Sequence, residues 1–151
     1  MNVGHLRQHH VVTCQPADNL VTAARLMREK HVGFLVVVEV DAQDGDLTPI
    51  GVITDRDIVI SVVAEDVSPH SLTVGDVMTR KPVVALSEDP LSDSVQQMRL
   101  KGVRRLPVVG TRGHLVGVIS LDDVLTRMAA DFGGAAGAIS KGRALETEIR
   151  P

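Results

Sequence analysis

The sequence contains the same pattern twice, and this internal repeat is the feature that most limits how the chain can fold. When residues 12–38 are placed on residues 83–109, ten of the 27 aligned positions are identical without a gap. After a shorter second loop the match resumes, with residues 51–57 on residues 117–123. A unit that recurs in one chain usually packs against its copy and buries a shared face. Two copies are too few for a solenoid, so the repeat predicts a pseudo-symmetric pair, with any ligand site at the joint between the halves.

Each copy has the pattern β-α-β-β-α. Short β-branched runs predict a first strand, and apolar residues at helical spacing predict a helix over Leu20 to Lys30 and its counterpart from Leu91. Asp18, and Asp89 followed by Pro90, are the expected helix caps. Two apolar strands and a last helix complete each copy. The predicted fold class is α/β (α+β), with two β-α-β-β-α repeats packed in pseudo-two-fold symmetry and sheets covered by helices.

Proline and glycine residues that interrupt the periodic pattern indicate where the repeats begin and end. The expected boundaries are residues 8–65 for repeat 1, 66–81 for a linker, 82–131 for repeat 2 and 132–151 for a flexible C-terminal tail. The tail is expected because Gly133-Gly134-Ala135-Ala136-Gly137 should end the last helix. Within the linker, residues 72–78 are expected to start a short helix.

Composition narrows the partners of the protein. The chain has 16 Lys and Arg against 19 Asp and Glu, interspersed, and only two aromatic residues, so neither a basic face nor a stacking platform indicates nucleic acid. Residues 1–8 lack the apolar region of a signal peptide, and the longest apolar run, residues 34–38, is too short to cross a bilayer. A single cysteine, Cys14, suits a reducing compartment. The expectation is a cytoplasmic protein with no nucleic-acid or membrane partner.

The informative motif is an apolar strand that ends in Gly-Val-Ile-[Thr/Ser]-x-x-Asp, present at residues 51–57 and 117–123. It places a hydroxyl, Thr54 or Ser120, where a strand gives way to helix N-terminal amides that favour an anion. Asp57 or Asp123 follows one helical turn later and can accept two hydrogen bonds from a vicinal diol such as a ribose. Valine and isoleucine walls can hold a flat base. This combination indicates a nucleoside phosphate.

With these two motifs, the strand Arg104-Arg105-Leu106-Pro107-Val108-Val109 and the linker segment Gly75-Asp76-Val77-Met78-Thr79, the sequence resembles a tandem CBS-domain protein, or Bateman module, over residues 8 to 131. The resemblance implies adenine-nucleotide binding in clefts between the repeats, with AMP, ADP or ATP ahead of S-adenosylmethionine or NAD. It also implies a homodimer, and it requires neither a resident cofactor nor a metal.

The resemblance assigns roles to seven residues. Asp57 and Asp123 would hold ribose hydroxyls, and Thr54 and Ser120 would contact ribose or phosphate. Basic residues would meet the phosphates, with candidates Arg104, Arg105 and Arg56. Because Arg104-Arg105 aligns with Gly33-Phe34, the two clefts are not equivalent, and we expect one good nucleotide site and one weak or empty site.

Structural alternatives stand beside each functional interpretation. Thr54 and Ser120 fit helix N-caps, Asp57 and Asp123 could complement helix dipoles, and the arginines could be solvated. His5, His9 and His10 lack a second cluster with ligand spacing, so no metal is expected. No nucleophile–base pair supports an enzyme. The predicted function is a stand-alone regulatory module that signals nucleotide occupancy, in the manner of an energy sensor, to an unidentified target protein; the alternative is an interaction or scaffold module with empty or degenerate clefts.

Overall fold

The computed structural model describes residues 1–149 and contains two β-sheets, one for each repeat. The first sheet has the order β1-β2-β3-β4, formed by Thr13–Cys14, Phe34–Val40, Leu47–Thr54 and Thr79–Arg80. The second has the order β5-β6-β7, formed by Ala85–Leu86, Arg105–Val109 and Leu115–Ser120. In both sheets the short first strand pairs in parallel with the second, and the next two strands form an antiparallel hairpin. The predicted α+β class and its internal repeat are confirmed.

Six α-helices lie within residues 1–149: α1 Val3–Leu6, α2 Leu20–Lys30, α3 Asp55–Ile58, α4 Val74–Val77, α5 Leu91–Lys101 and α6 Leu121–Ile149. A π-helical turn, Val59–Val63, extends α3, and a 3₁₀ turn, Pro69–Ser71, precedes α4. None of the helices in this part of the chain is both long enough and apolar enough to traverse a bilayer. The bounds of α2 are those predicted from its apolar stripe.

Each sheet packs one face on its own apolar core. Leu35 and Val37 of β2 lie in the first core with Leu20 and Met27 of α2. The second core is built in the same way, from residues such as Leu106 and Met98. The alternate residues of β2 and β6 are buried as well, and β3 contacts β7. Both faces of each sheet are therefore covered, which explains why these strands are continuously apolar.

The two repeats exchange short segments. Val3 of α1, at the start of the chain, lies in the second core, and its N–H donates to the Asp89 carbonyl at 2.9 Å. Val74 of α4 lies in the first core, and its N–H donates to the Asp18 carbonyl at 2.8 Å. Gly4 of α1 also lies close against the second repeat, since a Cβ added there would lie 2.6 Å from the Ser87 hydroxyl. Each core is thus completed by residues that lie next to the other repeat in the sequence.

The predicted caps of α2 and α5 were wrong by one residue. Asn19 caps α2, with its side chain accepting from the Val21 N–H, and Pro90 takes the cap position of α5. Asp18 instead accepts from the Gln15 N–H at 2.7 Å, and Asp89 accepts from Leu86 N–H at 3.1 Å. Both carboxylates close the turn between the first strand and the helix, so they are not free to cap it.

The last helix does not end where the sequence predicts. The run of glycine and alanine from residue 133 to residue 137 was expected to break it, yet α6 continues to Ile149. Alanine is the strongest helix former, and residues 135, 136 and 138 are all alanine. Glycine lowers helix stability by only about 1 kcal/mol per residue. These residues are exposed, so no tertiary contact opposes the helix.

Candidate functional site

A cleft of about 300 Å³ lies between the two repeats, at the end of β7 and the start of α6. We call it the carboxylate cleft because Asp122 and Asp123 line it. The first repeat contributes the residues before β1 and the approach to β2, and the second contributes β7 and α6. The lining comprises Gln8, His10, Val11, Val12, His31, Val32, Gly33, Phe34, Arg105, Val118, Ser120, Asp122 and Asp123. The lining is mixed: five apolar side chains stand beside seven polar or charged ones, so a ligand here can make both apolar contacts and hydrogen bonds.

Ser120 and Asp123 form a tight hydrogen-bonded pair in this cleft. The Asp123 Oδ2 accepts from the Ser120 N–H at 3.0 Å and from its hydroxyl at 2.6 Å. The Asp123 N–H in turn donates to Ser120 Oγ at 3.1 Å. The other carboxylate oxygen, Oδ1, accepts from the Gln8 side-chain amide at 2.8 Å. Gln8 of the first repeat and Ser120 of the second therefore hold the Asp123 carboxylate in a fixed orientation.

The equivalent pair of the first repeat, Thr54 and Asp57, makes a similar helix cap but lies outside the lining of the carboxylate cleft. The Thr54 N–H donates to Asp57 Oδ2 at 2.8 Å, and the Asp57 N–H donates to Thr54 Oγ1 at 3.2 Å. Together they form a capping box at the start of α3. Neither residue lines the carboxylate cleft or the second cleft described below. For Thr54 and Asp57 the structure therefore shows a helix cap, which is the structural alternative to ligand binding.

A second cleft of about 240 Å³ occupies the pseudo-symmetric position. We call it the lysine cleft because Lys81 and Lys101 line it together with Arg105. Its other lining residues are Val52, Thr79, Pro82, Val83, Val103, Leu106 and Pro107. This lining has three basic side chains and no carboxylate, so its electrostatic character differs from that of the carboxylate cleft.

The three predicted arginines have different surroundings. Arg105, the first residue of β6, pairs in register with Ser120 and lines both clefts. Arg104 lines neither cleft and forms an ion pair with Asp122 at 3.0 Å between exposed side chains. Arg56 is exposed and also lies outside both linings. The structure thus brings together Ser120, Asp123 and Arg105 and leaves the other four predicted residues, Thr54, Arg56, Asp57 and Arg104, outside.

Several lining residues were missed by the sequence analysis, above all Gln8, His10 and His31. A signal for Gln8 was present. Val3-Gly4 and Val74-Gly75 are identical at the same 71-residue offset as the main repeat, so the repeat begins before residue 12. With that extension, Gln8 falls opposite Thr79, and both residues pair with the strand that carries the motif, Gln8 with Val118 and Thr79 with Val52.

The described residues offer no obvious metal site or reactive thiol. Within residues 1–149, no three His, Cys, Asp or Glu side chains come together as ligands. Cys14 is buried in the first core, and this burial, with a smaller contribution from the nearby Asp18 charge, raises its pKa to about 12. The thiol therefore stays protonated and unreactive at neutral pH.

The fold and the clefts define a class of two-repeat α+β protein with ligand-sized spaces between the repeats. A family model for the CBS domain matches residues 3–64 and 74–130. The chain therefore belongs to the CBS-domain family and carries two copies of the domain, as the sequence resemblance predicted. Both matches include the exchanged segments, α1 in the first and α4 in the second.

Several known proteins are similar to this chain in sequence or in fold. An uncharacterized protein from Methanopyrus kandleri is 36% identical over 126 residues, which cover 83% of this chain and 61% of that relative's length. The structure of a protein with CBS domains from Burkholderia ambifaria superposes with a TM-score of 0.74 at 27% identity, covering 87% of this chain and 96% of that chain.

Two further solved structures share the fold and hold ligands. PAE2072 from Pyrobaculum aerophilum, complexed with AMP, has a TM-score of 0.71 at 23% identity, covering 86% of this chain and 99% of that chain. The CBS domain pair of MJ0100, in complex with 5′-methylthioadenosine and S-adenosyl-L-methionine, has a TM-score of 0.73 at 20% identity, covering 87% of this chain and 98% of that chain.

Proposed function

We propose that the protein is a regulatory CBS-domain pair that binds an adenine nucleotide in the carboxylate cleft and transmits occupancy to a partner protein. The observation that carries this proposal is the position of Asp123. Asp123 lines a cleft of about 300 Å³, and its carboxylate is fixed by Ser120 and Gln8. The adenine-containing ligands of PAE2072 and MJ0100 support the choice of ligand class.

In this proposal each part of the cleft has a chemical role. Val12, Val32 and Phe34 would pack on the adenine ring, because burial of a flat apolar surface is favourable there. Asp123 would accept hydrogen bonds from the ribose hydroxyls. Arg105 would meet the phosphate, since a guanidinium presents paired donors to phosphate oxygens. AMP, ADP and ATP are therefore placed ahead of S-adenosylmethionine, which has no phosphate for Arg105 to bind.

Transmission would follow from a difference in affinity between two conformations. The carboxylate cleft is lined by both repeats, so a ligand can favour one angle between them. The shift in population can be no larger than the ligand's differential affinity for the two states. No residue of the cleft is assigned a catalytic role, because the proposed action is binding.

The test is binding to nucleotide-stripped protein, with thermal unfolding as a screen and titration calorimetry as the measurement. A ligand at about 100 times its dissociation constant should stabilise the fold by about 2.7 kcal/mol. We expect AMP, ADP or ATP to give the largest shift. Asp123→Asn should raise the dissociation constant of the nucleotide about 10-fold to 100-fold, because a hydrogen bond to a charged group contributes about 1.5–3 kcal/mol.

Asp57→Asn is the matched control for that variant. Both aspartates occupy the same position of a helix cap, so both substitutions should lower stability by a similar amount, about 1 kcal/mol. Of these two aspartates, Asp123 lines the carboxylate cleft and Asp57 does not, so Asp57→Asn should change nucleotide affinity less than twofold. Equal losses for the two variants would show that the effect is on stability and that the site is misplaced.

The second candidate function is an interaction module whose clefts stay empty. The observation in its favour is that both motif hydroxyls and both motif carboxylates already satisfy helix caps. A flat response to every nucleotide would favour it.

In either function we propose a homodimer, because the equivalent helices of the two repeats carry exposed apolar residues. These are Val59 and Val63 after α3, and Leu125 and Phe132 on α6. Light scattering of the purified protein measures this directly.

A further inference from the structure

Two histidines of the first repeat line the carboxylate cleft. His10 precedes β1, and His31 lies at the end of α2. Both residues are exposed, and neither imidazole forms an ion pair with a carboxylate of residues 1–149. The first repeat therefore presents two titratable rings to a ligand in this cleft.

The backbone conformation of His31 indicates that its side chain serves something other than the fold. His31 ends α2 in the left-handed conformation, with a φ of 54°. Gly102 occupies the equivalent position of the second repeat and ends α5 in the same conformation, with a φ of 66°. Glycine adopts this conformation freely, whereas an L side chain is strained there. Residues held in such conformations cluster at ligand and active sites, and His31 lies in the lining of a cleft.

The fixed charges around the cleft do not balance a phosphate. The second repeat supplies the formally charged side chains of the lining, which are Arg105, Asp122 and Asp123. Arg104 pairs with Asp122 at 3.0 Å, so the two arginines together only offset the two aspartates. Asp55 of α3 adds a carboxylate beside the wall, since a Cβ added at Gly33 would lie 2.6 Å from its Oδ2. A phosphate monoester carries a charge of about −1.5 to −2 at pH 7, and the cleft needs further positive charge to match it.

We propose that His10 and His31 couple nucleotide binding in the carboxylate cleft to the uptake of a proton, so that the nucleotide binds more tightly as the pH falls from 8.0 to 6.5. This inference rests on the proposed nucleotide site in that cleft. Histidine is the side chain whose charge ordinarily changes between pH 5 and pH 8. A proton taken from the buffer by either ring adds a positive charge to the lining and a donor for a phosphate oxygen. The coupling is reciprocal, so a bound phosphate strengthens proton binding by the same factor.

The experiment measures the dissociation constant of AMP by titration calorimetry on the full chain at pH 8.0 and at pH 6.5. We expect the constant to fall about fivefold at the lower pH, within the usual range of coupling between sites. At pH 7.0, titrations in buffers of different ionisation enthalpy should show net proton uptake when AMP binds. Adenosine has no phosphate, so its constant should change less than twofold between the two pH values. An equal pH dependence for adenosine and AMP would overturn the proposal.

Variants assign the effect to the two histidines. In the double variant His10→Gln/His31→Asn the AMP constants at the two pH values should agree within twofold, because neither new side chain titrates. Asparagine is chosen at position 31 because it tolerates the left-handed conformation. His9→Gln is the matched control, since His9 is exposed and adjacent to His10 but lies outside the lining; it should keep the fivefold difference.

The outcomes separate this proposal from the proposed function. If AMP binds and its dissociation constant does not change with pH, the coupling is wrong and the nucleotide site stands. If the pH dependence survives in the double variant, its assignment to His10 and His31 is wrong. If AMP binds at neither pH, both proposals are wrong.

Discussion

The Asp123 carboxylate shows how one residue can stabilise the fold and still offer a binding surface. Three protein donors hold it: the Ser120 N–H, the Ser120 hydroxyl and the Gln8 amide. A carboxylate has about four acceptor sites, so about one is left without a protein donor. The orientation is set before binding, which lowers the entropy lost when a ligand is fixed. A helix cap and a ligand contact are therefore compatible at Asp123.

Part of the candidate site follows from residue types, and part depends on tertiary structure. Ser120 and Asp123 were predicted because they belong to a repeated motif at the end of a strand, and Arg105 was predicted from the resemblance to CBS domains. His10 was not predicted because its local sequence carries no motif, and Gln8 was missed because the repeat was aligned only from residue 12 and not from Val3. Thr54 and Asp57 carry the same motif as Ser120 and Asp123, yet they line neither the carboxylate cleft nor the lysine cleft. Spacing alone does not distinguish these cases.

Cys14 should be unreactive in the native protein. Burial first, and the charge of Asp18 second, raise its pKa to about 12, and only the thiolate reacts with alkylating agents. We expect iodoacetamide to label Cys14 negligibly at neutral pH and fully after denaturation, as measured by mass spectrometry. Rapid labelling of native protein would contradict the burial.

The same shift predicts how stability depends on pH. The folded-state pKa lies above the unfolded value of 9.0, so the unfolded chain releases its proton first. Stability from this group is fully present below about pH 9 and is lost as the pH rises towards about 12. Urea unfolding at pH 8 and pH 10 tests the sign, with Cys14→Ala as the control that should lose this part of the pH dependence.

At the scale of the elements, α6 tests how far helix propensity extends a helix without packing. A Cβ added at Gly133 or Gly134 would meet no atom within 4 Å, and both residues lie inside α6. The double variant Gly133→Ala/Gly134→Ala should therefore stabilise the helix by about 1 kcal/mol per site. The measurement is an increase in ellipticity at 222 nm. Unchanged ellipticity would mean that the helix ends earlier, as the sequence first indicated.

Gly102→Ala is the control for those two glycines. Gly102 ends α5 in the left-handed conformation, with a φ of 66°. A Cβ there also meets no atom within 4 Å, but an L side chain is strained at positive φ. This variant should lower the free energy of unfolding by about 1 kcal/mol. The opposite signs separate the effect of helix propensity from any general effect of alanine.

The elements themselves were predictable where a periodic apolar pattern decided them. The bounds of α2 are as predicted, because its apolar residues face a core. The caps of α2 and α5 were wrong because Asp18 and Asp89 close the preceding turn. The sequence at both positions permits either hydrogen bond, and only the path of the chain decides between them.

At the scale of the whole molecule, the exchanged segments make each repeat depend on the other. Val3 is fully buried in the second core, while the chain that follows it builds the first sheet. Val74 is fully buried in the first core, and the chain beyond β4 builds the second sheet. Neither sheet can keep its core intact while the other unfolds, so we expect one cooperative transition.

Val3→Ala with Cys14 as a reporter tests this coupling. The substitution removes buried methyl groups from the second core and should lower the free energy of unfolding by about 2 kcal/mol. Cys14 lies in the first core, which contains no part of Val3. If the exchange couples the repeats, the urea midpoint for exposure of the Cys14 thiol should fall by the same amount as the midpoint from circular dichroism. If the thiol midpoint stays at its wild-type value while the dichroism midpoint falls, the two repeats unfold independently and the exchanged segments do not couple them.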